Sequence, residues 1–182
     1  MANPVAAWGN ARFDGFAKVQ EIGPLGMISL RAKRDVPGLA GAFEALGLTL
    51  PEPRRIAING AKAAGWMSPD EYLLIVPYAQ VEATMASLSQ SLAGQHHLAA
   101  NVSDARAVFR VEGAKADQVL RKLCPVDLDT LQPGELRRTR AAQVAAAFWK
   151  DGEGYTLVCF RSVAGYVMGL LQHSAQPGSE LN

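Results

Sequence analysis

Apolar residues recur along this chain at two different spacings, and segments of the two kinds alternate. Alternating or short continuous apolar runs bounded by turn residues are typical of strands, whereas apolar residues three and four positions apart are typical of amphipathic helices. Strands are predicted at residues 25–31, 54–59, 72–76, 98–102, 107–112 and 155–160. Helices are predicted from the apolar positions within residues 36–46, 81–92, 116–124 and 163–171. This mixture favours an α+β fold.

The first and last predicted helices carry start signals in the sequence. Asp35 and Ser162 have short polar side chains of the kind that accept a hydrogen bond from a free helical N–H, so each is expected to cap the helix that follows it. In the last helix the apolar face is predicted to consist of Val163, Tyr166, Val167, Leu170 and Leu171.

A hairpin is predicted around the turn formed by residues 68–71. Pro69 has a fixed φ, and the side chains of Ser68 and Asp70 can bond to their own backbone. Apolar extended runs flank this turn, and Trp66 stands at its entrance. We expect Trp66 to bury its ring against the sheet.

The stretch 137–150 gives two conflicting signals. Its many alanines favour a helix intrinsically. However, residues 151–154 read as a hairpin turn, and the strand after that turn needs an antiparallel partner. We therefore predict that the stretch is extended and forms the strand that enters the turn at Asp151.

The order of the elements predicts two related halves. Each half has the pattern of a ferredoxin-like or split βαβ unit, with an antiparallel sheet and helices packed on one side. The boundaries expected from the sequence are an irregular N-terminal arm at residues 1–20, a first half at 21–102, a second half at 103–173 and a disordered tail at 174–182.

Composition narrows the functions open to the chain. Of its 182 residues 19% are charged and the formal net charge is +1, so no long-range field favours nucleic acid or an anionic membrane. The purest apolar runs, 73–76 and 144–149, are far shorter than the roughly twenty residues of a membrane helix. Because the first ten residues lack a secretory signal pattern, a cytoplasmic location is expected.

The sequence contains no recognisable catalytic or ligand-binding motif. His96 and His97 have no Cys, Asp or Glu at metal-ligand spacing, and His173 ends a predicted helix, where a cation complements the helix dipole. Glycine-rich nucleotide-binding patterns are missing. Cys124 and Cys159 stand in apolar surroundings and are expected to be free buried thiols. We therefore predict no catalytic residue, metal ligand or cofactor site in this chain.

Two groups of residues are candidates for a partner interface. The N-terminal arm holds Trp8, Phe13 and Phe16, and three aromatic rings in an irregular arm must cover a partner or the protein's own sheet. Arg138 and Arg140 share one face of an extended strand, which is either a solvated sheet edge protected by long cations or a docking strip for an acidic partner.

The chain resembles the γ subunit of heterotetrameric sarcosine oxidase and the wider aminomethyltransferase-like folate-binding superfamily. The resemblance runs from Leu25 to Leu171, and the family pattern Trp-Leu-Gly-Pro-Asp-Glu-Trp corresponds here to residues 66–72, Trp-Met-Ser-Pro-Asp-Glu-Tyr. The other stretches that carry the resemblance are residues 27–31, 48–51, 124–128, 139–140 and 161–166.

The resemblance implies a non-catalytic structural subunit without a cofactor of its own. Its partners would be the α, β and δ subunits, which in such complexes hold FAD, FMN, NAD, zinc and tetrahydrofolate. The whole complex would demethylate sarcosine oxidatively to glycine, using tetrahydrofolate and oxygen. Two alternatives stay open: a stand-alone folate-dependent protein of the aminomethyltransferase-like superfamily, and a small-ligand regulatory module.

Overall fold

The computed structural model of the chain describes residues 5–181, which form two compact units. The central unit is Leu25–Ser103; the terminal unit combines the chain before Leu25 with the chain after Ser103. The strands are β1 (Arg12–Asp14), β2 (Lys18–Ile22), β3 (Gly26–Arg31), β4 (Ile56–Asn59), β5 (Lys62–Ser68), β6 (Glu71–Val76), β7 (Leu98–Asn101), β8 (Arg106–Glu112), β9 (Leu136–Ala141), β10 (Val144–Asp151) and β11 (Gly154–Phe160). The α-helices are α1 (Leu39–Glu44), α2 (Val81–Ser91), α3 (Ala116–Leu123) and α4 (Ala164–Ser174).

The central unit is an antiparallel sheet with helices α1 and α2 packed on one face. The strand order is β4-β5-β6-β3-β7. Strands β3, β5, β6 and β7 with the two helices have the arrangement of a split βαβ unit, and β4 adds one edge strand. Phe43 of α1 meets Tyr72 of β6 edge to face, with ring centroids 5.4 Å apart. The core contains Ile28, Leu30, Phe43, Leu74, Leu88 and Leu92.

The terminal unit repeats this topology with a different chain order. Its antiparallel strands lie in the order β1-β2-β8-β11-β10-β9, with α3 and α4 on one face. Strand β8 corresponds to β3, β9 to β4, β10 to β5 and β11 to β6. The position of β7 is filled by β2, which comes from the N-terminal part of the chain. The α+β class with two related antiparallel halves, predicted from the sequence, is confirmed.

The N-terminal arm was expected to be irregular, and this expectation is wrong for the part of the arm that follows residue 11. Residues 12–14 and 18–22 are strands of the terminal unit. Strand β2 of the N-terminal segment pairs with β8, and among the described residues after α4 there is no further strand. The sequence pattern did not predict strand β2, because Glu21 occupies a buried position where a strand with alternating apolar residues would have an apolar one.

The stretch 137–150 is extended as predicted, but it forms two strands rather than one. Ala142, with φ 49°, lies in a tight turn between β9 and β10. Arg138 and Arg140 therefore lie on β9, the edge strand of the sheet, and the strand that enters the turn at Asp151 is β10.

Two predicted helix caps are wrong. The residue before α1 is Gly38, in the left-handed conformation with φ 81°, and Asp35 lies outside the helix. The residue before α4 is Val163, because a short 3-10 turn containing Ser162 precedes the helix. In both cases the chain turns into the helix through its backbone conformation rather than a side-chain hydrogen bond.

The C-terminal tail was predicted to be disordered, whereas the structure fastens it to α3 as far as Leu181. Lys122 Nζ donates to the carbonyl oxygen of Ser174 at 2.8 Å and also to Ser179. The backbone N–H of Leu181 donates to Gln118 Oε1 at 2.8 Å. Residues 1–4 and 182 of the predicted arm and tail lie outside the described residues.

Candidate docking surface

The described residues offer little for acid–base or metal chemistry. Within residues 5–181 no group of three or more His, Cys, Asp or Glu side chains is placed to hold a metal ion. Cys124 and Cys159 are free and buried, as predicted, and burial raises the pKa of each thiol to about 12. Both stay protonated at neutral pH and are poor nucleophiles. None of the helices in this part of the chain is long and apolar enough to cross a membrane.

One surface of the terminal unit is apolar and exposed. Val5, Trp8, Phe160 and Tyr166 expose 62, 58, 48 and 48% of their surface. We call the region formed by Val5, Trp8 and Tyr166, together with Gly165 and Gly169 of α4, the α4 surface. Large apolar side chains are exposed singly on most proteins, so what matters is whether these are held together.

Trp8 sits in a turn held by a buried carboxylate. Glu21 on β2 is only 1% exposed, and its oxygens accept hydrogen bonds at 2.9 Å from the backbone N–H groups of Trp8 and Asn10. Gly9 and Asn10 both have positive φ, 68° and 57°, which curls the backbone N–H groups toward the carboxylate. Hydrogen bonds to a charged acceptor are stronger than neutral ones, so Glu21 fixes this turn.

The ring of Trp8 lies flat on helix α4 at Gly165. A Cβ atom at position 165 would lie only 2.9, 3.0 and 3.2 Å from three carbons of the ring. Only glycine therefore lets the ring approach the helix this closely. One face of the ring is covered, and the remainder stays in solvent.

Two arginines contact the exposed apolar residues Val5 and Phe160 separately. Arg161 donates to the carbonyl oxygens of Val5, at 2.9 Å, and Ala6, at 3.4 Å. The guanidinium of Arg106 lies 4.1 Å from the centroid of the Phe160 ring, a cation–π contact. The segment before β1 thus runs beside the start of α4. Phe160 is separate from this segment: its neighbour Cys159 packs in the core with α3 and α4, so Phe160 points to the opposite face of the sheet.

The structure separates the roles of the three aromatic residues of the arm. Phe13 and Phe16 are partly buried and pack against the core of the terminal unit, and Lys122 Nζ lies 4.9 Å from the Phe16 ring centroid. Trp8 is the member of the three that is mostly exposed.

The register of the sheet brings one predicted arginine close to Phe160. Arg106 pairs with Phe160 across β8 and β11, and Arg140 pairs with Ala145 across β9 and β10. Extending the β10–β11 register by one residue places Ala145 opposite Phe160. Arg140 is therefore two strands from Phe160, about 10 Å away, on the same face. Arg138 is exposed further along the same edge strand.

Sequence reasoning missed Phe160 and Tyr166 as surface residues. Phe160 ends an apolar strand, and Tyr166 has helical spacing from Val163 and was expected on the apolar face of its helix. The buried face of α4 consists instead of Ala164, Val167, Met168 and Leu171, which leaves Tyr166 exposed. No periodicity signal could have separated the two faces, because α4 is apolar nearly all round.

Comparison with known proteins identifies the family. The model of the sarcosine oxidase gamma subunit family matches residues 31–176. The sarcosine oxidase subunit gamma of an Arthrobacter species is 30% identical over 143 residues, covering 76% of this chain and 70% of that protein. The chain belongs to the sarcosine oxidase gamma subunit family. The resemblance noted in the sequence is thereby confirmed.

Solved structures agree with this fold. A chain of the heterotetrameric sarcosine oxidase from Corynebacterium sp. U-96 superposes with a TM-score of 0.80 at 24% identity, covering 87% of this chain and 83% of that one. The aminomethyltransferase T of the glycine cleavage system from Bartonella henselae gives a TM-score of 0.66 at 14% identity, covering 86% of this chain and 45% of that one. At these identities the likeness is one of fold.

Proposed function

We propose that this member of the gamma subunit family is a non-catalytic structural subunit of a heterotetrameric sarcosine oxidase, assembled in the cytoplasm with α, β and δ subunits. The observation that supports the proposal is the family match over residues 31–176, together with relatives of similar sequence over three quarters of the chain. The match includes the central unit from Arg31 onward and the part of the terminal unit from β8 to the end of α4, and it leaves out β1 and β2.

In this proposal the cofactors belong to the other subunits. FAD, FMN, NAD, zinc and tetrahydrofolate would be bound there, and the assembled complex would convert sarcosine to glycine while reducing oxygen to hydrogen peroxide and passing the one-carbon unit to tetrahydrofolate. The burial of Cys124 and Cys159, with thiol pKa values near 12, fits a chain that takes no direct part in this chemistry.

We assign a role to each interface residue predicted from the sequence according to how exposed its side chain is. Trp8, Arg138 and Arg140 are exposed and are proposed to contact a partner subunit. Phe13 and Phe16 pack on the core of their own unit and are proposed to support the arm from beneath.

Reconstitution tests the proposed function directly. The α, β and δ subunits of the same organism are expressed with and without this chain, and sarcosine-dependent peroxide release and assembly size are measured. We expect the chain to co-purify with the other subunits and, purified alone, to be colourless and inactive with sarcosine and tetrahydrofolate. Peroxide formed by the chain alone would contradict a structural role, and a complete active complex without it would contradict its membership.

A further inference from the structure

We propose that Lys122 of α3 is a latch for both ends of the chain, so that the C-terminal tail and the N-terminal arm open together as one local unit. The latch consists of Lys122, Phe16 of the arm, Ala175 at the end of α4 and Ser179 of the tail. It belongs to the terminal unit alone and operates whether or not a partner subunit is bound.

The ammonium of Lys122 holds the tail against α3. An ammonium carries three N–H donors. Lys122 Nζ donates to the carbonyl oxygen of Ser174 at 2.8 Å, to the carbonyl oxygen of Ser179 and to Ser179 Oγ at 3.1 Å. The hydroxyl of Ser179 also donates to the carbonyl oxygen of Gln176 at 2.7 Å. The tail thus closes around one charged group, and hydrogen bonds from a charged donor are stronger than neutral ones.

The tail is attached by polar contacts rather than by burial. Residues 176–178 are exposed, and Leu181 exposes 43% of its surface. The backbone N–H of Leu181 donates to Gln118 Oε1 of α3 at 2.8 Å. Segments that bury little apolar surface and depend on hydrogen bonds near solvent open with the lowest free energies in a protein. We therefore expect the tail to open well before the terminal unit unfolds, at a frequency that depends on Lys122.

The N-terminal arm is attached at the same place. Lys122 Nζ lies 4.9 Å from the centroid of the Phe16 ring, and the backbone N–H of Phe16 donates to the carbonyl oxygen of Ala175 at 2.9 Å. Ala175 is the residue at which the tail leaves α4. Gly15 approaches this carbonyl so closely that a Cβ atom at position 15 would lie 1.9 Å from its oxygen. A movement of the tail that shifts Ala175 therefore also moves the acceptor of the arm.

These shared contacts couple the two segments. When the tail opens, Lys122 loses both oxygens of Ser179, and its ammonium regains hydrogen bonds by turning toward water. This movement removes the cation from the Phe16 ring and weakens the attachment of the arm. An open arm, in turn, lets water reach the ammonium and weakens its bonds to the tail. The coupling is reciprocal, because each segment holds the ammonium where the other segment needs it.

Amide hydrogen exchange of the full chain, followed by NMR, tests the latch. The N–H of Leu181 reports opening of the tail, and the N–H of Phe16 reports opening of the arm. Lys122→Met removes the charge but keeps most of the aliphatic side chain. Arg121→Met is the matched control, because Arg121 is the neighbouring cation of α3 and binds Asp129 instead of the tail.

Two further proteins separate charge from coupling. Lys122→Arg keeps the positive charge and the donors. A chain that ends at Gly178 lacks Ser179 but keeps the whole arm and α4, so it shows whether loss of the tail alone releases the arm. The slowest amides of β11 report global unfolding in every variant.

We expect Lys122→Met to accelerate exchange about tenfold at Leu181 and about fivefold at Phe16, and Arg121→Met to change both less than about twofold. Lys122→Arg should stay within about threefold of the wild type. The shortened chain should accelerate exchange at Phe16 about threefold. Wild-type exchange at both reporters in Lys122→Met, or an equal acceleration of the β11 amides, would overturn the latch. Unchanged exchange at Phe16 in the shortened chain would overturn the coupling.

Discussion

The contact between Trp8 and helix α4 makes a quantitative prediction that two glycines test against each other. Gly165→Ala and Gly169→Ala introduce the same methyl group into the same helix one turn apart. At position 169 the new atom meets nothing within 4 Å, whereas at position 165 it lies within 3.2 Å of three carbons of the Trp8 ring. Gly169→Ala changes helix propensity alone, and Gly165→Ala also displaces the Trp8 ring.

The magnitudes follow from burial. Replacing glycine by alanine inside a helix stabilises it by about 1 kcal/mol, which raises the melting temperature of a chain of this size by about 2–4 °C. Trp8 is 58% exposed, so seating its ring buries about 100 Å² of apolar surface, worth about 2 kcal/mol. Gly165→Ala gains the helix-propensity term of about 1 kcal/mol but loses the burial of the Trp8 ring, worth about 2 kcal/mol. Its melting temperature should therefore lie about 4–8 °C below that of Gly169→Ala.

Calorimetry and iodide quenching of tryptophan fluorescence measure the two consequences separately. We expect Gly169→Ala to melt above the wild type with unchanged quenching, and Gly165→Ala to melt at or below the wild type with increased quenching, since the released Trp8 ring becomes more accessible. Trp8→Phe serves as the control for the source of the quenching signal. Equal melting temperatures in the two alanine variants, together with wild-type quenching, would refute the contact.

Three further predictions concern other parts of the molecule. Trp66 is half-buried against the core of the central unit, so Trp66→Ala should lower the free energy of unfolding measured in urea by about 2–3 kcal/mol. If stability is unchanged but assembly with the other subunits is weakened, the Trp66 ring lies in an interface instead. Because burial raises the pKa of Cys124 and Cys159 to about 12, both should react with a thiol reagent at pH 8 only as fast as the protein unfolds, and rapid labelling of the native chain would contradict this. Replacing Arg138 and Arg140 by Glu should slow association with the other subunits and weaken the salt dependence of that association. The free energy of unfolding should change by no more than about 1 kcal/mol. If mutant and wild-type chains co-purify with the other subunits equally at low and high salt, the two arginines are only a solvated sheet edge.

Local signals in the sequence were sufficient for most of the fold. The turn between β5 and β6 forms as predicted, with Ser68 Oγ donating to Asp70 Oδ1 at 2.9 Å. The strand before Pro77 is a continuous apolar run and is buried throughout, so its sequence indicated a buried strand without ambiguity. The confirmed resemblance to the gamma subunit family rested on such local stretches.

What the sequence could not predict depends on pairs of residues far apart in the chain. Glu21 looks like a solvent-facing residue until the backbone N–H groups of Trp8 and Asn10 are seen around it. The exposure of Tyr166 depends on which face of an apolar helix meets the sheet, and Met168 takes the buried place. The first fact is set by the fold of the N-terminal segment and the second by the packing of α4 on the sheet, and no local pattern records either.

The use of β2 as the last strand of the terminal unit has a consequence for synthesis. Strand β2 leaves the ribosome early, but its partner β8 begins only at Arg106, and α4 follows later still. At roughly 5–20 residues per second, the Trp8 segment waits on the order of ten to thirty seconds before Gly165 exists to receive it. A chain that is cut short during translation retains Trp8 but lacks the helix on which the ring rests. The contact between Trp8 and Gly165 can therefore form only after α4 has been synthesised, and it distinguishes chains that contain this helix from shorter fragments.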